Sequence, residues 1–303
     1  MRKILMTTKK FFLESEGGRR SEGDSLFHIL PAPYEKTVSY GTGTKNAPSA
    51  IIEASQQLES YDGESIPLEY GIFTHSPIDC KGRDIDVLKK IEHAAASIFS
   101  MKKIPVILGG EHTVSYAPII AAKKFFSNIG VVHFDAHADL RDEYEGSKFS
   151  HACVMRRVHE TGIPIIQIAA RSFSIEEKNY RDQHNDIISY NAWDIYKEKK
   201  FTIEFPDDFP EKIYISVDVD GLDPSVIPHT GTPVPGGLLW WDFFSFINSI
   251  PANKKIIGFD IVELAPTDNS AVSDFAAAQL AYNLMGIIAR RLKEEYVFNN
   301  LTK

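Results

Sequence analysis

From about residue 84 onward, short runs rich in valine and isoleucine alternate with helical patterns, and this alternation restricts the fold more than any other feature. The runs cover 104–109, 130–137, 164–170, 186–190, 212–220 and 255–263. They are continuously apolar rather than apolar at every second residue, the pattern of parallel strands covered on both faces. Between them the spacing predicts helices over 84–101, 116–126, 151–160, 175–182, 241–250 and 273–295. In the first of these, Asp84 marks the start, and Val87, Leu88, Ile91 and Ala95 follow at helical spacing. An earlier helix is predicted over 48–61, with Asn46 near its cap and Pro48 in its first turn. Such βαβ alternation demands right-handed crossovers and gives one open, mostly parallel sheet with helices on both sides. No repeat, low-complexity tract or linker divides the 303 residues, so a single domain over 1–303 is expected. Ligands of such folds bind beyond the carboxyl ends of the strands.

The polar residues stand where the apolar runs end. In Val131-Val132-His133-Phe134-Asp135-Ala136-His137-Ala138-Asp139, the residues Asp135, His137 and Asp139 project to one side for as long as the chain stays extended. The run that ends Val217-Asp218-Val219-Asp220 repeats the device with Asp218 and Asp220, followed by Gly221. A third run ends Leu108-Gly109-Gly110-Glu111-His112 and presents His112. Carboxylates at buried strand ends are costly unless a cation compensates them. Together the three ends supply two imidazoles and four carboxylates, an oxygen-rich set without thiolate. This set suits Mn²⁺ or another hard to borderline ion better than structural zinc. It exceeds the needs of one catalytic ion and matches two, a pair that lowers the pKa of water held between them.

Composition narrows the partners. The net charge of −8 argues against general nucleic-acid binding and is compatible with a small cationic substrate. Cys80 and Cys153 make no disulfide framework. The first twenty residues lack the apolar core and cleavage site of a secretory leader, and no segment is long and apolar enough to span a bilayer. A cytoplasmic protein is expected.

The combined motifs resemble those of the ureohydrolase family, the arginase and agmatinase relatives. They are Gly109-Gly110-Glu111-His112, Asp135-Ala136-His137-Ala138-Asp139, and Ser216 to Pro224, continuing through Thr230-Gly231-Thr232-Pro233 to Leu238. The resemblance runs from Pro31-Ala32-Pro33-Tyr34 to the final helix. It implies a three-layer αβα sandwich around a mostly parallel sheet, two Mn²⁺ per subunit, and a homo-oligomer, trimer or hexamer. It also implies one ion on His112, Asp135, Asp139 and Asp218 and the other on His137, Asp135, Asp218 and Asp220, with Asp135 and Asp218 bridging. Glu263 matches the family glutamate that pairs with the substrate guanidinium, for which a carboxylate is suited by its paired acceptor oxygens. His151 matches the proton-shuttle histidine. His133, two residues before Asp135, reads as a support for the ligands or a packed core histidine.

The expected reaction is therefore hydrolysis of a guanidino group to urea and an amine. The loop over 140–150 and the stretch 33–44 look agmatinase-like, which points to agmatine giving putrescine and urea; arginine and guanidinobutyrate are the alternatives. Acidic residues in the 140–150 loop suit a cationic tail, with Arg141 and Lys148 opposing. His229 departs from the family pattern and is expected to narrow or charge the pocket mouth. The change at Leu239-Trp240-Trp241-Asp242 reads as helix packing. A metal-binding but inactive regulatory relative would lack a ligand, His151 or Glu263, and none is missing. An amidohydrolase of the related deacetylase architecture would need neither six ligands nor Glu263.

Overall fold

The computed structural model describes residues 10–301; the reading made on the first twenty residues falls in part on residues 1–9, outside the described part. The strands are β1 (Phe27–Ala32), β2 (Ile72–Thr74), β3 (Ile104–Gly109), β4 (Gly130–Phe134), β5 (Ile165–Ile168), β6 (Ile187–Tyr190), β7 (Lys212–Asp218) and β8 (Lys255–Val262). They form one parallel sheet in the order β2-β1-β3-β8-β7-β4-β5-β6. Around it lie α1 (Glu14–Gly17), α2 (Ala47–Ser55), α3 (Asp84–Ser100), α4 (Tyr116–Phe126), α5 (Val154–His159), α6 (Ile175–Asp182), α7 (Ala192–Glu198), α8 (Trp240–Asn248) and α9 (Val272–Leu301).

Successive strand residues feed opposite core layers, as the pleat requires. Val132 and Phe134 of β4, with Ile213 and Ile215 of β7, pack with α2, α8 and α9. Val131 of β4 and Tyr214 of β7 pack instead with α3, α4 and α5. The expected three-layer αβα sandwich is the observed architecture.

All six expected strands are present; β4, β5, β7 and β8 stop short of the apolar run, and in β4, β7 and β8 the last residues leave the sheet to build the site. β1 and β2 were not expected: Pro31 interrupts the first pattern, and the second has only three residues. The predicted 48–61 helix ends at Ser55. There Gln56 turns its side-chain amide to the Phe11 carbonyl at 2.7 Å and accepts the Ser15 N–H at 3.1 Å, tying the chain to the N-terminal segment. Pro48 sits in the first turn as expected, but the Asn46 side chain caps nothing. The helix expected to begin at His151 opens as a 3₁₀ turn over His151–Cys153 before α5.

Candidate metal centre and active site

β3, β8, β7 and β4 are neighbours in the middle of a parallel sheet, so their carboxyl ends open on one edge. His112 follows β3, Asp135 follows β4, Asp218 closes β7, and Glu263 follows β8. Side-chain-free residues make the turns possible. A Cβ on Gly110 would overlap the Tyr34 carbonyl, and one on Gly221 would lie 2.8 Å from the Asp135 nitrogen.

The extended course expected over 135–139 is not kept, since β4 stops at Phe134. Asp135 Oδ1 accepts the His137 N–H at 2.6 Å and folds the chain, and Asp139 takes a left-handed φ of 54°. Similarly, Asp218 accepts the Asp220 N–H at 2.9 Å and starts a 3₁₀ turn over Val219–Gly221. Asp220 Oδ1 in turn accepts the Ala136 N–H at 3.0 Å, locking the two loops together. The side chains converge through these turns, not through strand parity.

Two groups result. His112 Nδ1 lies 3.2 Å from Asp135 Oδ2, 3.0 Å from Asp139 Oδ2 and 3.3 Å from Asp218 Oδ2. His137 Nδ1 lies 3.3 Å from Asp135 Oδ1 and 3.1 Å from Asp220 Oδ2. Asp135 thus joins both groups, one oxygen to each. Asp218 reaches His112 through Oδ2 and accepts the Asp220 N–H through Oδ1, so it lies between the two groups. Buried His112 Nδ1 faces three carboxylates without the alignment of a hydrogen bond to any of them. An imidazole nitrogen left so, among oxygen donors, fits a divalent cation.

Behind these two groups a buried polar row crosses four strands. Gln167 of β5 is in register with His133 of β4, His133 with Ser216 of β7, and Ser216 with Asp260 of β8. Gln167 Nε2 donates to the Ala138 carbonyl at 2.7 Å and to His133 Nδ1 at 3.1 Å, so the proton on His133 is at Nε2, donated to Asp135 Oδ2 at 2.9 Å. Ser216 Oγ donates to Asp260 at 2.8 Å and accepts from His112 Nε2 at 3.0 Å. In the neutral ring that bond keeps the proton on Nε2 and leaves the lone pair of His112 on Nδ1. Among these residues only His133 was singled out from sequence. Their signal is a polar residue one or two positions before a strand end, inside an otherwise apolar run. Arg171, also unforeseen, braces the rim by donating to the carbonyls of Asp220 at 2.6 Å and Val234 at 2.7 Å.

Glu263 and His151 line the same cavity of about 400 Å³ as His112, His137, Asp139, Asp218 and Asp220. Glu263 has a φ of 63°, a costly conformation for a residue with a side chain. It is held by its own N–H to the Gly110 carbonyl at 2.8 Å and by the His112 N–H on Oε1 at 2.6 Å. His151 Nδ1 lies 3.1 Å from Thr37 Oγ1, and Nε2 lies 2.9 Å from Ser39 Oγ. Thr37 is itself fixed by Glu111, whose carboxylate accepts the Lys36 and Thr37 N–H groups and the Thr37 and Thr113 hydroxyls. Glu111 therefore orders the loop that positions His151.

The mouth corrects two expectations. His229 does not line the cavity; its Nδ1 lies 2.9 Å from Ser273 Oγ at the start of α9. Of the 140–150 loop, Arg141 and Tyr144 line it, while Asp142 pairs with Arg157 at 2.6 Å outside. Buried Glu177 also lines the cavity, with its oxygens accepting the Leu140 N–H at 3.1 Å and the Ser174 N–H at 2.7 Å. At the changed Leu239–Asp242 stretch, Trp240 packs on Phe244 as expected, but Trp241 is 74% exposed.

Charge is concentrated in the ligand groups. Burial opposes a charged His112, yet Asp135, Asp139 and Asp218 raise its pKa well above the usual value. Burial likewise opposes a charged His137, which Asp220 and Asp135 push up to about 12. Burial and the Asp135 charge lift Asp139 to about 7, and burial with Asp220 and Asp135 lifts Asp218 well above the carboxylate range. Against its burial, Asp135 is held low by His112, His133 and His137. Protons thus stand where divalent cations would displace them. Burial and neighbouring Glu111 raise Glu263 well above its usual value, and burial lowers that of His151.

The sequence model of the arginase family matches residues 25–286. The chain belongs to the arginase family. Within it, the chain is 37% identical to an N(1)-aminopropylagmatine ureohydrolase of Synechocystis sp., over 91% of this chain and 93% of that protein. It is 34% identical to an agmatinase of Pyrococcus horikoshii, over 95% and 100%. The crystal structure of agmatine ureohydrolase of Thermoplasma volcanium superposes with a TM-score of 0.83 at 29% identity, covering 95% of this chain and 97% of that one. As an arginase-family ureohydrolase, the chain falls in a class that depends on a binuclear metal centre, and it carries the clustered histidine and aspartate groups to hold one.

Proposed function

We propose that this chain hydrolyses the guanidino group of agmatine to urea and putrescine, using two Mn²⁺ ions. One ion would be held by His112, Asp135, Asp139 and Asp218, and the other by His137, Asp135, Asp218 and Asp220, with Asp135 and Asp218 bridging. The observation that carries the reading is Asp135, which offers one oxygen to each histidine group. When bound, such a pair of ions lowers the pKa of water and polarises the group under attack.

The chain's own residues supply the rest. Glu263, buried and anchored through Oε1, pairs with the guanidinium, whose charge relieves the cost of an isolated buried carboxylate. His151, kept neutral at pH 7 because burial lowers its pKa, can take up a proton at Nε2 and pass it to the leaving amine. Addition of one water to the guanidinium then yields urea and a primary ammonium. Tyr144 and Phe173 line the same cavity and give it an aromatic wall for the substrate's tail. The Mn²⁺ preference rests on the oxygen-rich donor set. A cytoplasmic homo-oligomer is the accompanying reading. Free Cys80 and Cys153 favour a reduced compartment, and exposed Trp193 and Trp241 favour association. Among the described residues no helix is long and apolar enough to cross a membrane.

A second reading is cleavage of N(1)-aminopropylagmatine, favoured by the name of the Synechocystis relative. Urea release under Mn²⁺ from agmatine, N(1)-aminopropylagmatine, arginine and 4-guanidinobutyrate, measured side by side, tests both. Fastest turnover of agmatine supports the first reading, and fastest turnover of the longer substrate replaces it with the second. No urea from any of the four overturns the enzyme assignment.

A further inference from the structure

A second cluster of ligand-type side chains lies at the sheet edge, and none of its members lines the catalytic cavity. His28 of β1 is in register with Phe73 of β2, and His75 follows two residues later on the same face. His28 Nδ1 and His75 Nε2 are 3.0 Å apart, and a Glu22 carboxylate oxygen lies within 4.8 Å of both. We propose that Glu22, His28 and His75 form a separate site for a borderline divalent cation, best exemplified by Zn²⁺, which clips the 21–24 turn to the edge strands.

Three observations support the site. His28 is fully buried and donates its Nε2 proton to the Glu22 carbonyl at 3.1 Å, so its Nδ1 lone pair points at His75. An imidazole oriented by a carbonyl on its far nitrogen is the usual arrangement of a metal-bound histidine. Two nitrogens 3.0 Å apart can share an ion at about 2.0–2.1 Å from each once the pair opens slightly and the His75 Nε2 proton moves to that ring's Nδ1. Finally, Glu22 sits in a turn that is already fixed. Ser21 Oγ donates to Asp24 at 2.6 Å, Ser25 Oγ donates to the Ser21 carbonyl at 2.8 Å, and Lys103 donates to the Gly23 carbonyl at 2.7 Å. Burial and His75 bring the pKa of His28 down to about 4, so it binds without first losing a proton at neutral pH. Two histidines, one carboxylate and a water complete the four positions that Zn²⁺ favours.

The test compares full-length protein with the His75→Gln and Glu22→Gln variants, each freed of metal and titrated with Zn²⁺ alone. Both substituted residues lie outside the catalytic cavity, and Glu22 is exposed, so folding and Mn²⁺-supported urea release remain intact as internal controls. The expected result is one fewer tightly bound Zn²⁺ per chain in each variant, or at least an about tenfold weaker site. Equal stoichiometry and affinity in all three proteins would overturn the proposal and leave an ordinary histidine pair. The count does not depend on the guanidino substrate, so failure here and failure of the catalytic reading are separately visible.

Discussion

Ser216→Ala singles out one half of the metal centre. The hydroxyl is wholly buried, accepts the His112 Nε2 proton at 3.0 Å and donates to Asp260 at 2.8 Å. Alanine leaves the imidazole N–H without an acceptor and removes the preference for a lone pair on Nδ1. A buried donor without its partner costs about 1–3 kcal/mol. Through the ligand this corresponds to about 5- to 150-fold in metal affinity, in line with the ~10- to 100-fold usual for losing an oriented partner. The penalty falls on the ion held by His112. The group around His137 makes no contact with Ser216, so its ion should change by less than about threefold. The assay is chelator competition on the Mn²⁺-loaded enzyme, with bound metal counted at each chelator concentration, alongside thermal unfolding of the metal-free protein. One ion leaving early is the expected result. Equal weakening of both ions, or of neither, would refute the assignment of Ser216 as the partner that orients His112.

Other outcomes follow from the same geometry. Glu263→Gln keeps the acceptor for the His112 N–H but removes the charge facing the guanidinium. It should lower kcat/KM for agmatine by about 10²–10³, the loss of one strong charge-assisted contact. His151→Asn should lower kcat by about 10²–10⁴ with little change in KM, and should alter the acid limb of the kcat profile. Metal binding should weaken as pH falls. The imidazole of His137, raised to about 12, and the carboxyl of Asp139, raised to about 7, both carry protons in metal-free protein at lower pH, and these must leave. Titrations at pH 6 and 8 should differ by about tenfold or more per released proton, the tighter binding at pH 8; pH-independent affinity would contradict this.

Much of the fold was legible because buried parallel strands write themselves as unbroken apolar runs. β3 and α4 carry the bounds expected from sequence, and so does α6, where Ser174 and Glu177 form a capping box. What escaped were elements whose local pattern is weak: β2 has three residues, and α7 has seven and no clear apolar stripe. In the site, the clustered side chains were legible as carboxylates and imidazoles too costly to bury singly. Their exact approach was not, because Asp139 and Glu263 reach the centre through left-handed backbone that no spacing rule anticipates. The partners that orient the ligands were mostly invisible for another reason. Ser216 meets His112 across 104 residues, and Thr37 meets His151 across 114, so only the sheet order brings them together. His229 illustrates the converse, since a departure from the family pattern beside a motif proved to be a contact with Ser273.

The central claim is a pair of ions joined through Asp135. Stepwise addition of Mn²⁺ to metal-free protein, followed by electron paramagnetic resonance and by urea release from agmatine, tests it directly. The account predicts about two equivalents in the cavity, an exchange-coupled signal once both are bound, and urea appearing with the second equivalent. A single uncoupled ion that supports full turnover would contradict it.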